Sequence, residues 1–188
     1  MNRPWTHEAA LDFLRRHVAG DILIKHCLAS EAIMRALAGR FGEDPGRWGL
    51  AGLLHDLDFE QTKDSPSEHT VKTVEILAAE GVLPDILQAI REHNAEALGI
   101  ACESRMGIAL TAAETVTGLI VATALVQPDR RVTSVKVSSL RKRMKEKAFA
   151  RNVSRERILE CERVGLALDD FLTISVEAMQ GVAAELGL

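Results

Sequence analysis

One stretch of the chain constrains the fold more than any other: residues 108–126 are 19 consecutive residues with a single charge, that of Glu114. Its length alone would allow it to cross a membrane. However, a carboxylate at mid-span costs about 2–3 kcal/mol in lipid, and the sequence contains no second stretch of this kind. A helix that is apolar on all sides is equally typical of the centre of a soluble bundle. We therefore predict a buried central helix and no membrane span.

Hydrophobic periodicity predicts helices along almost the whole chain and no alternating pattern typical of strands. Ser65 followed by Pro66 is interpreted as the start of the fourth helix. Hydrophobic residues make up 47% and charged residues 27% of the 188 residues, an ordinary globular composition. We expect an all-α, single-domain bundle of about eight or nine helices over residues 1–188. The predicted helices cover approximately residues 7–18, 21–41, 47–56, 65–81, 84–93, 104–126, 133–147, 154–161 and 168–186.

The N-terminal sequence and the cysteines predict a cytoplasmic protein. The first residues lack a basic stretch followed by an apolar run, so we predict no signal peptide. Cys27, Cys102 and Cys161 are far apart and form no CxxC pair. A reduced, cytoplasmic setting fits this pattern best.

Positive charge is concentrated in residues 130–157, which contain eleven lysines and arginines and two acids, a net charge of +9. The other residues contain 12 basic and 25 acidic side chains, a net charge of −13. This asymmetry favours contact of the segment with something anionic, and a solvated helix face is the alternative. Lys136 and Arg151 are candidates for binding a substrate phosphate. Nucleic acid is not expected as a partner, because the segment has one aromatic residue, Phe149.

Four of the six histidines are predicted to point into the helical core. For example, the first lies on a stripe with Ile22, Ala29 and Ile33, which is spaced for one helix face. A single histidine on an apolar face is usually a core residue with satisfied hydrogen bonds. Four such residues need partners for eight ring nitrogens, and a metal ion satisfies one nitrogen on several rings at once. The four histidines are His26, His55, His69 and His93.

Two acids complete a candidate metal site. Asp56 follows His55 at the end of a predicted helix, where a carboxylate is unfavourable beside the negative end of the helix dipole unless a cation lies there. Glu114 lies in the middle of the apolar helix, where an unpaired carboxylate carries a large desolvation cost. The alternative for Glu114 is a buried ion pair with a lysine or arginine of another helix.

The order of these residues resembles that of the HD-domain metal-dependent phosphohydrolases, over residues 21–126. The resemblance rests on His26, the sequence Leu-Leu-His-Asp that ends at Asp56, and a later acid on a buried helix. It implies an HD-like fold, with residues 21–126 as a metal-binding core and residues 130–188 as a basic helical extension packed on it. His69 and His93 resemble the extra ligands of the two-metal branch.

The chain departs from the family pattern at two points. The last metal ligand of the family is usually aspartate, and the matching residue here is Glu114, whose longer arm would shift the metal or bind it through water. The HD-GYP branch has a second histidine and a Gly-Tyr-Pro signature after the position of His93. This chain has Asn94 there and contains no tyrosine, so we predict that it does not belong to that branch.

We predict two divalent ions, either iron, manganese, zinc or cobalt, because mixed imidazole and carboxylate ligands suit these metals better than calcium. Asp56 would bridge the ions, and Lys63, seven residues further along, would contact a substrate phosphate or be an exposed loop residue. Asp58 is interpreted as a surface turn residue, with the orientation of water as the alternative. The first predicted ion is bound by His26, His55, Asp56 and Glu114, and the second by His69, His93 and Asp56.

Three functions are compatible with this set of residues. The first is hydrolysis of a small phosphate ester, such as a nucleotide, by metal-activated water, with Asp56 and Lys63 as catalytic residues. The second is a di-iron oxygenase, which the resemblance also implies because the superfamily contains such enzymes. The third is a regulatory module that has kept the fold without catalysis. The sequence predicts no particular oligomeric state.

Overall fold

The computed structural model of the protein describes residues 5–188. Within this range it contains helices and no β-strand, so the predicted all-α, single-domain fold is confirmed. Nine of its α-helices have five residues or more, in agreement with the eight or nine predicted. The α-helices are α1 (His7–His17), α2 (Asp21–Phe41), α3 (Pro45–Leu54), α4 (Phe59–Thr62), α5 (Val71–Ala79), α6 (Pro84–Glu92), α7 (Ala95–Leu98), α8 (Arg105–Leu125), α9 (Val137–Lys145), α10 (Arg155–Leu159), α11 (Leu168–Gly181) and α12 (Ala183–Leu186).

Helix α8 is the central helix of the bundle. It begins after Ser104, whose hydroxyl accepts a hydrogen bond from the amide of Gly107. It packs against α2, α3, α6, α9, α10 and α11. Among residues 5–188, α8 is the only helix long and apolar enough to cross a membrane, and 67% of its most apolar stretch of 18 residues is buried in the protein. The apolar stretch of the sequence is therefore covered by other helices.

Helices α2 and α3 approach each other very closely. A Cβ atom on Gly52 of α3 would lie 2.8 Å from the carbonyl oxygen of Ser30 on α2, so only glycine permits this approach without a shift of one helix. The next turn of α3 ends at Leu54, which leaves His55 as the C-cap residue. The close contact thus places His55 directly against α2, the helix that carries His26.

The predicted start of the fourth helix at Ser65 and Pro66 is wrong. The residues from there to Thr70 form turns, and α5 begins only after them. Thr70 has a left-handed backbone (φ 74°), and its amide donates a hydrogen bond to the carboxylate of Asp58. The Ser-Pro pair therefore opens a turn, for which both residues are also well suited. As a result, His69 projects from this turn and not from a helix.

The C-terminal part of the chain packs back on the helices that carry the histidines. Helix α11 contacts α2. Helix α10 and the 3-10 helix Glu160–Val164 both contact α8. One arginine, Arg155, holds the loop between α9 and α10 in place. Its guanidinium donates hydrogen bonds to the carbonyl oxygens of Arg143, Glu146, Phe149, Ala150 and Val153.

Candidate metal centre

Four imidazoles and one carboxylate from separate segments meet beside α8. The imidazoles come from the middle of α2, the C-cap of α3, the turn before α5 and the C-cap of α6, and the carboxylate follows α3. Most of these side chains are buried, and the exposed fraction is 1% for His55 and 6% for Asp56. The structure thus brings together, in chain order, His26, His55, Asp56, His69 and His93.

The Nε2 atoms of the histidines form two pairs. Those of His26 and His55 are 3.2 Å apart, and those of His69 and His93 are also 3.2 Å apart. Asp56 lies beside both pairs: its Oδ1 is 3.4 Å from Nε2 of His55 and 3.2 Å from Nε2 of His69, and its Oδ2 is 3.7 Å from Nε2 of His26. Atoms that bind one ion at about 2.0–2.1 Å lie roughly 3 Å apart. Each histidine pair therefore has the spacing of two ligands of one ion.

The other ring nitrogens of His55 and His93 are held by backbone carbonyl groups. Nδ1 of His55 is 2.9 Å from the carbonyl oxygen of Gly52, and Nδ1 of His93 is 2.6 Å from that of Ile90. Because a carbonyl oxygen only accepts, each Nδ1 carries the hydrogen and donates it. In the neutral rings, the lone pair is then on Nε2, the nitrogen that faces the centre.

Side chains orient the remaining two rings in the same way. Nδ1 of His26 is 3.0 Å from Oγ1 of Thr117, whose hydroxyl donates to the carbonyl oxygen of Glu114 and therefore accepts from the ring. Nδ1 of His69 donates to Oδ1 of Asp58 at 2.8 Å. All four Nε2 atoms consequently point their lone pairs at one place when the rings are neutral.

Burial and neighbouring charges set the protonation of the centre. Burial and the neighbouring His55 lower the pKa of His26, and burial lowers the pKa of His55. Burial raises the pKa of Asp56, but the charge of His55 and a hydrogen bond from His69 outweigh burial and hold this pKa well below its usual range. Burial lowers the pKa of His69, but hydrogen bonds to two carboxylates raise it to about 9. Without a cation, a proton on His69 thus partly neutralises the buried acids.

The donor set fits a divalent transition-metal ion. Two neutral imidazoles whose Nε2 lone pairs face each other at 3.2 Å repel each other unless a cation or a proton lies between them. Imidazole and carboxylate together suit iron, manganese, zinc or cobalt, whereas calcium prefers oxygen ligands alone. Within residues 5–188, two groups of three side chains have atoms close enough to hold an ion: His26, His55 and Glu114, and His55, Asp56 and His93.

The two oxygens of the Glu114 carboxylate face different neighbours. Oε2 is 4.0 Å from Nε2 of His26, longer than the distances within the histidine pairs. Oε1 is 3.0 Å from Nη2 of Arg157 and also accepts a hydrogen bond from the hydroxyl of Thr115. The same Nη2 atom donates to the carbonyl oxygen of His93 at 2.6 Å. The ion pair considered as an alternative from the sequence is therefore present, and it leaves Oε2 facing the histidines.

Two residues of the site, Arg157 and Asp58, differ from what the sequence predicts. The interpretation of Asp58 as a surface residue is wrong, because its side chain is fully buried. It accepts hydrogen bonds from His69 and from the amides of Thr70 and Thr73. An acid two residues after Asp56 was the signal for this role. No signal distinguished Arg157 from the other basic residues around it.

A cavity of about 750 Å³ leads to the metal centre, between α2 and the segment around α4. Lys63, predicted to contact phosphate, lines this cavity together with residues of the centre. Lys136 and Arg151, predicted to bind substrate phosphate, are exposed and do not line it. The prediction for these two residues therefore gains no support from the cavity. Both side chains lie on the surface of the C-terminal part, where water solvates their charges.

The family model of the HD domain matches residues 23–126, more than half of the chain. No solved structure matches the chain. The matched region contains the four histidines, Asp56 and Glu114, whereas Arg157 lies beyond it. The match, the all-helical fold and the cluster of histidines around the His-Asp pair agree, and the chain belongs to the HD-domain family.

Proposed function

We propose that the chain is a metal-dependent phosphohydrolase that cleaves a small phosphate ester at a site with two divalent ions. The observation that carries this proposal is the meeting of four Nε2 lone pairs with both oxygens of one buried carboxylate, that of Asp56. Membership of the HD-domain family supports it, because metal-dependent phosphohydrolases are characteristic of that superfamily.

The two histidine pairs suggest how two ions would be shared. His26 and His55 would bind one ion and His69 and His93 the other. Oδ1 of Asp56 lies 3.4 Å from Nε2 of His55 and 3.2 Å from Nε2 of His69, so this carboxylate can reach both pairs. Glu114 would complete the first set through Oε2, directly or through a water molecule. The bridging position of Asp56 is supported by the placement of its two oxygens, one nearest to His26 and the other nearest to His69.

The bound ions would lower the pKa of water to about 7 and neutralise charge on the oxygens of the phosphate. The residues of the chain orient the metal ligands and the phosphate group. Hydrogen bonds at each Nδ1 atom hold the imidazoles in the orientation that presents Nε2, and Arg157 holds one oxygen of Glu114. The ammonium group of Lys63, at the cavity wall, would bind a phosphate oxygen and balance its charge.

The test of this function is phosphate release by metal-loaded protein. Protein loaded with manganese or with iron is incubated with a panel of phosphomonoesters and nucleotides, and inorganic phosphate is measured. We expect release from at least one class of ester. Absence of release from the whole panel with both metals contradicts the proposal, and an empty site after loading favours a regulatory module.

Two variants test the arrangement of the ions. Asp56→Ala removes the bridge, so we expect metal content to fall and turnover to be lost. His69→Ala removes one ligand of the second pair only, so we expect one equivalent of metal to remain. Elemental analysis after gel filtration measures both. Equal loss of both ions in His69→Ala contradicts the assignment of the histidine pairs to separate ions.

A di-iron oxygenase is the second candidate, because a centre of four imidazoles with carboxylates also suits iron. The same iron-loaded protein distinguishes the two chemistries. Substrate-dependent oxygen uptake without phosphate release favours the oxygenase, whereas phosphate release without oxygen, and also with manganese, favours the hydrolase.

A further inference from the structure

A second cavity, of about 510 Å³, adjoins the cavity of the metal centre. Ile22 and His26 line both cavities, so the two spaces meet at the first turns of α2. These two residues are four positions apart and lie on the same face of the helix. This face of α2 therefore leads from the metal centre into the second cavity.

The second cavity is a groove between α2 and α8, bordered by residues 186–188, with mostly apolar walls, and we call it the α2/α8 groove. Between Glu114 and Leu125, α8 rises about 16 Å, so the groove extends along α8 away from the metal centre. Its one lysine, Lys25, is paired with Asp21 at 2.9 Å. Apart from Ile22, Lys25 and His26, the groove is lined by Ala29, Thr117, Gly118, Val121, Ala122, Leu125, Leu186, Gly187 and Leu188.

Apolar side chains also line the mouth of the metal-centre cavity. Ile22, Leu23 and Phe59 contribute to its wall, and Ile22 is 86% and Phe59 42% exposed. Among residues 5–188, Lys63 is the only lysine or arginine in the lining. Glu60, the acid of the outer wall, accepts hydrogen bonds from backbone amides just before α2. One phosphate group therefore finds a cation here, whereas a second would face apolar side chains or Glu60.

We propose, on the basis of the phosphohydrolase function above, that the substrate is a monophosphate ester of an apolar alcohol. Its phosphate group lies at the metal centre beside Lys63, and its apolar body passes Ile22 and occupies the α2/α8 groove. Hydrolysis transfers the phosphoryl group to water, breaks the bond between phosphorus and the ester oxygen, and releases the alcohol and inorganic phosphate. Sugar phosphates and nucleoside polyphosphates are then poor substrates.

A small molecule fits this groove better than a second copy of the chain. The volume of the groove is within the range of small-molecule sites, roughly 300–1,000 Å³. A stable protein interface buries about 800 Å² on each partner, far more than the few exposed apolar side chains here provide. The groove also shares His26 with the metal centre. A substrate that reaches from the groove to the metal centre requires such a connection, whereas a dimer contact does not.

The first test compares alkyl phosphates of increasing length with glycerol 3-phosphate, using manganese-loaded protein. All are phosphate esters of aliphatic alcohols, so the comparison isolates the apolar body. We expect kcat/KM to rise from butyl to hexyl to octyl phosphate by roughly two- to fourfold for each methylene buried. Hydrolysis with no dependence on chain length, or with glycerol 3-phosphate preferred, overturns this inference and leaves the hydrolase function standing.

Variants assign the effect to the groove. Ile22→Ser and Leu125→Ser each remove an exposed apolar side chain that lines it, so the ratio of kcat/KM for octyl and butyl phosphate should fall toward one. Leu83→Ser is the matched control, because Leu83 is 45% exposed and lines neither cavity. An unchanged ratio in both groove variants, or an equal fall in the control, contradicts the assignment.

A binding measurement tests the ligand class without catalysis. Calorimetric titration of manganese-loaded protein with butyl, hexyl and octyl phosphonate should give an increasingly negative heat-capacity change, because apolar surface is buried on binding. If the phosphonates behave in this way but no ester is cleaved, the ligand class stands and the hydrolase function fails. If gel filtration shows a dimer that Ile22→Ser dissociates, the groove belongs to a second copy of the chain and this inference is wrong.

Discussion

At the scale of single residues, the candidate metal centre depends on groups that lie behind the four imidazoles. Each Nδ1 atom of the four histidines has its own acceptor: two carbonyl groups, one hydroxyl and one carboxylate. These acceptors fix both the tautomer and the orientation of the rings. Asp58 is the one acceptor of the four that carries a charge, and it also binds two backbone amides. It therefore links the orientation of His69 to the shape of the turn before α5.

Replacement of Asp58 by asparagine should weaken binding of the metal ion that we propose for His69 and His93. The amide nitrogen of asparagine would face a backbone N–H or the ring N–H, which costs about 1–3 kcal/mol of stability. Loss of such an outer partner typically lowers metal affinity about 10–100-fold. Titration of metal-free protein with Mn²⁺ measures this, with Asp64→Asn in the exposed loop as the control. Equal affinities in Asp58→Asn and the original protein contradict the prediction.

Replacement of Arg157 by methionine should have opposite effects on the metal-free and metal-bound protein. The guanidinium stabilises the partly buried carboxylate of Glu114 but competes with a cation for the same charge. We therefore expect lower stability of the metal-free protein and an affinity for Mn²⁺ that rises by roughly five- to thirtyfold, about 1–2 kcal/mol. Thermal unfolding with and without metal measures both effects.

Arg163→Met is the matched control for this variant. Arg163 also forms an ion pair, with Glu160, and donates to the carbonyl oxygen of Cys102, but it has no contact with Glu114. A fall in metal affinity in Arg157→Met would show that the arginine supports metal binding only as a structural anchor of His93.

At the scale of elements, the helices present the centre mainly at their ends. His55 and His93 are the C-cap residues of α3 and α6, and Asp56 follows the first of them. The C-terminal end of a helix carries partial negative charge, which disfavours a carboxylate and favours a cation. Two such ends directed at one place add to the attraction of the side chains for metal ions. The contact between α2 and α3 determines where one of these ends lies.

Two glycine variants test the importance of that contact. Gly52→Ala places a methyl group 2.8 Å from a carbonyl oxygen of α2, so we expect a loss of about 1–3 kcal/mol and weaker metal binding through His55. Gly39→Ala, in α2, meets no atom within 4 Å and should raise stability by about 0.5–1 kcal/mol. Chemical denaturation measures both. A stable Gly52→Ala variant with unchanged metal binding contradicts the prediction.

At the scale of the whole molecule, the centre joins segments that are far apart in the chain. It connects α2, α3, the turn before α5, α6 and α8, and through Arg157 it also contacts the C-terminal part. An ion bound there crosslinks the folded chain, while the unfolded chain holds no such site. Metal binding should therefore act directly on the stability of the entire domain.

Metal should raise the melting temperature of the protein, and the rise should grow with the logarithm of the free metal concentration above its Kd. Free metal at 100 times its Kd adds about 2.7 kcal/mol, which corresponds to roughly 5–10 °C for a domain of this size. Differential scanning calorimetry with Mn²⁺ and with EDTA measures the shift. In Asp56→Ala the shift should be lost, and an undiminished shift in this variant would place the stabilising ion elsewhere.

The sequence by itself determined the helical class, the buried central helix and the set of histidines and acids. These features depend on local periodicity and on the cost of burying polar groups, both of which can be evaluated from neighbouring residues. The start of α5 was mispredicted because Ser-Pro suits a turn as well as a helix, and the choice is made by Asp58, a distant hydrogen-bond partner.

Only the tertiary structure decided which charges meet. Arg157 pairs with Glu114 across 43 residues of chain, while Lys136 and Arg151 of the same basic segment remain exposed. The apolar groove beside His26 likewise exists only after α2 and α8 have packed together. Pairing of this kind is set by the packing of whole helices, and a linear pattern of charges contains no information about which side of a helix will face a partner.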